Sequence, residues 1–101
     1  MSKDILNVEP KEVWKNFYEL NQVPRPSKNE DRVISFLISF AKKNGLDFNT
    51  DKIGNLVIYK DSTHDMYNRE TVVLQSHVDM VHEKNNDTVF DFLNSPINMY
   101  V

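Results

Sequence analysis

His77 and Asp79 are the residues whose types and spacing suggest chemistry, within Ser76-His77-Val78-Asp79-Met80-Val81-His82. They stand two apart, so on an extended backbone both side chains point to the same face. A neutral imidazole can give one ring nitrogen to a metal while its other N–H goes to a carboxylate, which fixes the tautomer and raises the basicity of the ligand. H-x-D has a second reading, a strand-end histidine followed by a turn. A catalytic zinc also normally needs three protein ligands plus water, more than this pair supplies.

The elements that must position the pair can be read from punctuation and periodicity. A first helix is expected from Pro10, a residue favoured at helix starts, to Asn21. Val13, Phe17 and Leu20 share one face, with Trp14 beside them. Val23-Pro24-Arg25-Pro26 must be extended, because each proline restricts itself and the residue before it. A second helix should follow, with Ser27 and Glu30 at capping-box spacing and Gly45 as its stop. Its residues Val33, Ile34, Phe36, Leu37, Ile38, Phe40 and Ala41 form an apolar arc wide enough to need cover on two sides. Phe48 to Thr50 and Leu56 to Tyr59 read as a hairpin around Asp51-Lys52-Ile53-Gly54-Asn55. Thr71-Val72-Val73-Leu74-Gln75-Ser76 reads as a third strand, apolar on both faces at its centre. This order gives an α/β class, with the histidine and aspartate just past a buried strand end, where open α/β sheets place their ligands.

Composition excludes several functions. The 101 residues carry a net charge of −3, +1 in residues 1–50 and −4 in residues 51–101, so no basic footprint for nucleic acid is present. There is no cysteine, which removes disulfides, thiolate zinc sites and thiol nucleophiles. The two glycines, Gly45 and Gly54, cannot form a P-loop or a dinucleotide fingerprint. No stretch approaches the ~18 apolar residues of a membrane span. Met1-Ser2-Lys3-Asp4 lacks the apolar core of a signal peptide, which leads to an expected cytoplasmic location.

Leu74-Gln75-Ser76-His77-Val78-Asp79-Met80-Val81, followed by Glu83-Lys84-Asn85, resembles the first metal motif of the aminoacyl-histidine dipeptidases. These are also called cytosolic nonspecific dipeptidases or peptidase D. They sit in the di-zinc metallopeptidase superfamily that includes carnosinases. Val23-Pro24-Arg25-Pro26-Ser27-Lys28 resembles the family's loop before its second helix, and Thr50-Asp51-Lys52-Ile53-Gly54-Asn55-Leu56 its hairpin. Asn86-Asp87-Thr88, Asp91-Phe92 and Pro96-Ile97 resemble the stretch that follows. The likeness covers Glu9 to Val101.

The resemblance implies an N-terminal fragment of an α/β/α zinc-peptidase catalytic domain, occupying residues 1–101. It implies a zinc-ligand role for His77 and a catalytic role for Asp79, which holds that histidine rather than the metal. It further implies two zinc ions, a dipeptide substrate of the Xaa-His type and a homodimer as one form of the complete enzyme. The bridging aspartate, general-base glutamate and remaining ligands of the family would lie beyond Val101. The alternative is a catalytically inactive truncated product or fragment with only a structural or interaction role. Ile97-Asn98-Met99-Tyr100-Val101 alternates like a strand, so the chain is expected to end within an element.

The remaining candidates have plainer readings. His82 lies near the motif, His64 in a polar loop, and Asp87 and Asp91 in a polar stretch; each reads first as a surface residue. Arg25 reads as a loop pin, with a substrate carboxylate as its other partner. Trp14, Phe17, Phe36 and Phe40 read as core.

Overall fold

The computed structural model describes residues 4–101. Met1 to Lys3, part of the signal-peptide reading, lie outside the described residues. After a 3-10 turn at Asp4–Asn7 come α1 (Lys11–Asn21), α2 (Asp31–Lys43), β1 (Asp47–Thr50), β2 (Leu56–Tyr59) and a second 3-10 turn at His64–Met66. Ile5, Val33 and Ala41 are buried apolar residues among those described.

Pro10 caps α1 from outside its first turn, its carbonyl accepting from the Val13 and Trp14 amides, and the helix ends at Asn21 as expected. Its expected apolar face is covered only in part. Val13 and Phe17 are exposed, while Trp14, Tyr18 and Leu20 are half-buried and Asn21 is fully buried. Helical spacing identifies which residues align, but the neighbouring structure decides which side of the helix is covered.

The start of α2 also differs from expectation. Glu30, not Ser27, is the residue that precedes the helix, and its Oε1 accepts from the Lys28 amide at 2.7 Å. The Ser27 amide pairs with Met80 O and Glu30 itself lies outside the helix, so the capping box does not form. The far end follows the sequence. Gly45 takes φ +65°, its amide donates to Lys42 O at 3.1 Å, and the Leu46 amide reaches Ala41 O at 2.9 Å. That pair of bonds is a Schellman closure, and only a residue tolerant of positive φ supplies it cheaply.

β1 and β2 pair antiparallel, with Phe48 opposite Ile58 and Asp47 opposite Tyr59. Phe48, Leu56 and Ile58 are half-buried, and Val57 and Tyr59 face out. α2 packs on β1, and the Lys42 ammonium lies 5.9 Å from the centre of the Phe48 ring. The expected third strand is not formed. Residues 71–76 run without a ladder partner, and Val72, Val73 and Leu74 are 80%, 82% and 92% exposed. A strand exists only where neighbours complete its hydrogen bonds, and among the described residues the hairpin pairs only with itself.

The turn between β1 and β2 is organised by one carboxylate. Asp51 Oδ1 accepts from the Ile53 and Asn55 amides at 3.0 and 2.9 Å, and Oδ2 accepts from Asn55 Nδ2 at 2.7 Å. The Asn55 side chain, then its amide, holds the Asp51 carboxyl below the ordinary carboxylate value. A depressed folded-state pKa contributes stability above the unfolded value of ~3.9, and that stability is lost as pH falls through the folded value. In an NMR titration Asp51 should therefore ionise below that range, and the Asn55 amide should lose exchange protection in the same step. An Asp51 midpoint at the ordinary value would refute this account of the turn.

Candidate metal-ligand site

The site is built where the Pro-rich loop after α1 meets the segment after residue 76. The two run parallel, bridged at Pro26 and Met80. The Met80 amide donates to Arg25 O at 2.8 Å, and the Ser27 amide donates to Met80 O at 3.0 Å. The prolines suit this arrangement: they hold the loop extended, while the Arg25 carbonyl and the Ser27 N–H make the pairing. Pro26 itself is buried.

Arg25 closes the seam from the side. Its Nη1 donates to Val78 O at 2.9 Å and its Nη2 to Asn21 Oδ1 at 2.8 Å. Asn21 is anchored in turn, its carbonyl accepting from the Ile97 amide at 2.9 Å and its Nδ2 lying 3.2 Å from the Met99 sulfur. Burial lowers the Arg25 pKa from its free value, and the Asp79 charge opposes that shift. Of the two roles open to Arg25, the geometry gives the loop pin.

Asp79 stands at the centre. Its Oδ1 is 2.8 Å from His77 Nδ1, and its Oδ2 accepts from the Ser27 hydroxyl at 2.5 Å. Those bonds, the Ser27 one first, hold the Asp79 carboxyl below the ordinary carboxylate range. An ionised carboxylate can only accept, so the Nδ1 that faces it carries the proton. With the proton there, the lone pair of a neutral imidazole falls on Nε2. The His77 side chain is 82% exposed, so that nitrogen is available to an incoming ion.

The other candidates do not join this pair. His82 is exposed and packs edge-on against Phe92, ring centres 6.2 Å apart. His64 begins the second 3-10 turn and is exposed, and Asp87 is exposed as well. Asp91 organises a turn: its Oδ1 accepts from the Leu93 amide at 3.0 Å and its Oδ2 from Asn94 Nδ2 at 2.9 Å. Those contacts, the Asn94 side chain first, lower its pKa. Among the described residues no three or more His, Asp or Glu side chains converge as a metal-binding group. The donor set fits one ligand position, His77, with a carboxylate behind it.

Ser27 is the residue the sequence reading missed at this site. Its capping-box spacing with Glu30 gave it a complete local explanation. Its actual partner lies 52 residues away, and no local pattern encodes that distance.

No protein-family model matches the chain. A cytosol non-specific dipeptidase of Escherichia coli (strain K12) is 39% identical over 98 residues, which is 97% of this chain and 20% of the relative. The crystal structure of an aminoacylhistidine dipeptidase from Vibrio alginolyticus superposes with a TM-score of 0.91 at 38% identity, covering 96% of this chain and 20% of that one. The chain spans about a fifth of the length of these relatives. Over that fifth it resembles an aminoacylhistidine dipeptidase in sequence and in fold, with both helices and the antiparallel hairpin in place.

Proposed function

We propose that the chain carries the first metal motif of a di-zinc dipeptidase, as the N-terminal part of the catalytic domain. His77 would hold one ion through Nε2. Asp79 would keep the proton on Nδ1 and stabilise positive charge on the ring when a metal draws on it. Bound zinc supplies a Lewis acid and an activated water for attack on a peptide carbonyl. The contact between His77 Nδ1 and Asp79 Oδ1 carries this reading, because it supports an oriented ring where H-x-D spacing alone is common.

The substrate proposed for the complete enzyme is a dipeptide, Xaa-His included, and a homodimer is compatible with it. A cytoplasmic location is supported by the name of the Escherichia coli relative, and no helix among the described residues is long and apolar enough to cross a membrane. The radius of gyration, 16.3 Å against the ~13 Å of a compact domain of this size, supports a part of a domain rather than a whole one.

A second reading is favoured by the donor count. One histidine and a carboxylate behind it cannot hold two zinc ions, so the 101-residue chain by itself is proposed to be catalytically silent, with at most a structural or interaction role. Elemental analysis after dialysis against zinc should find fewer than two ions per chain, with no turnover of Xaa-His dipeptides. Two tightly held ions with turnover would overturn the silence. In an NMR zinc titration the His77 ring should shift before those of His64 and His82. Equal shifts at all three rings would overturn His77 as the ligand.

A further inference from the structure

The Ser27 hydroxyl has two acceptors within reach and one proton to give. Asp79 Oδ2 lies at 2.5 Å and Met80 O at 3.3 Å. The shorter bond is the charge-assisted one, and Met80 O already receives the Ser27 amide. The backbone around Ser27 is fixed on both sides. Arg25 O and the Ser27 amide grip Met80, and Arg25 Nη1 grips Val78, so both neighbours of Asp79 are held. On the other side, the Asn29 amide closes a turn onto Pro26 O at 2.9 Å, with Lys28 at φ +73°. A lysine in the left-handed region is strained, and such strain persists only where the surroundings over-determine it.

We propose that Ser27 is a positioning residue for the His77–Asp79 pair: its hydroxyl occupies one carboxylate oxygen and turns the other to His77 Nδ1, which leaves Nε2 as the metal-facing nitrogen. The inference deepens the dipeptidase reading and rests on it for the identity of the ion. The geometry of the serine, carboxylate and imidazole stands without the ion. Without the hydroxyl, Asp79 can rotate into water, because its side chain is 32% exposed, and the ring is then free to choose its tautomer.

The test is the tautomer of His77, read from its ring 15N shifts in the 101-residue chain at a pH where the imidazole is neutral. The native chain should show mainly the Nδ1-protonated form. Ser27→Ala should shift His77 towards the mixture of a free imidazole and weaken its response to zinc by about tenfold, within the range seen for partners behind metal ligands. Ser27→Thr, which keeps the hydroxyl, should restore both. A merely structural role for Ser27 would change exchange protection at Met80 and leave the tautomer unmoved. Should Ser27→Ala fail to fold by circular dichroism, Ser27→Cys, close in shape and a weak donor, is read in the same way. A His77 tautomer in Ser27→Ala identical to the native one overturns the proposal. A changed tautomer in a chain whose zinc response bypasses His77 upholds the positioning role and overturns the metal reading instead.

Discussion

Truncating Arg25 to alanine is expected to detach the segment carrying His77 and Asp79 from the loop after α1. The guanidinium joins α1, through Asn21 Oδ1, to the backbone just before Asp79, through Val78 O. Hydrogen bonds to a charged group contribute about 1.5–3 kcal/mol each, and their loss would leave the amide oxygen of the buried Asn21 without this donor. The expected cost is about 3 kcal/mol, a large share of the stability of any small domain. Amide exchange at Met80 and Ser27 should accelerate by about two orders of magnitude, on the conversion of 1.4 kcal/mol to a factor of ten. Arg25→Lys should recover little, because an ammonium cannot span two acceptors with a planar fork. Unchanged protection at Met80 in Arg25→Ala would show that the prolines hold the seam alone.

The second large effect concerns self-association. Residues 71–76 present a β-branched run outside any helix or ladder, and Val72, Val73 and Leu74 are exposed. Unpaired extended backbone with apolar side chains and little charge is a template for pairing with another chain. The purified 101-residue chain is therefore expected to associate as its concentration rises. Val73→Lys, a charge at the centre of the run, should return it to monomer without disturbing α1, α2 or the hairpin. Sedimentation velocity across a concentration series reads this directly. A native chain that stays monomeric throughout, or a lysine variant that associates equally, would remove the run as the cause.

The seam and the unpaired run mark where sequence and structure part. The C-terminal end of α2 was legible because Gly45, Lys42 and Lys43 act within one turn of it. The hairpin was legible because Asp51, Gly54 and Asn55 build its turn from their own side chains and backbone freedom. The His77–Asp79 contact was legible because two residues of extended chain dictate it. Three features depend on other parts of the molecule. Val13 and Phe17 align on α1 but lie on its uncovered side. Residues 71–76 have the composition of a buried strand without the neighbours that would make them one. Ser27 carries a helix-cap signature, yet a carboxylate 52 residues away takes its hydroxyl. The hydroxyl gives its proton to a charged acceptor, and no window of sequence around Ser27 contains that acceptor.

The seam between the loop and the Asp79 segment also sets an order of events. Its bonds span 53 residues from Arg25 to Val78 and 52 from Ser27 to Asp79, and Asn21 reaches 78 residues to Met99. α2 and the hairpin close on contacts a few residues apart. Each long closure must first restrict a large loop of unfolded chain, and that entropy is repaid only when several such bonds form together. The helices and hairpin are therefore expected to assemble early, and the oriented histidine to be among the last features to appear and the first to be lost.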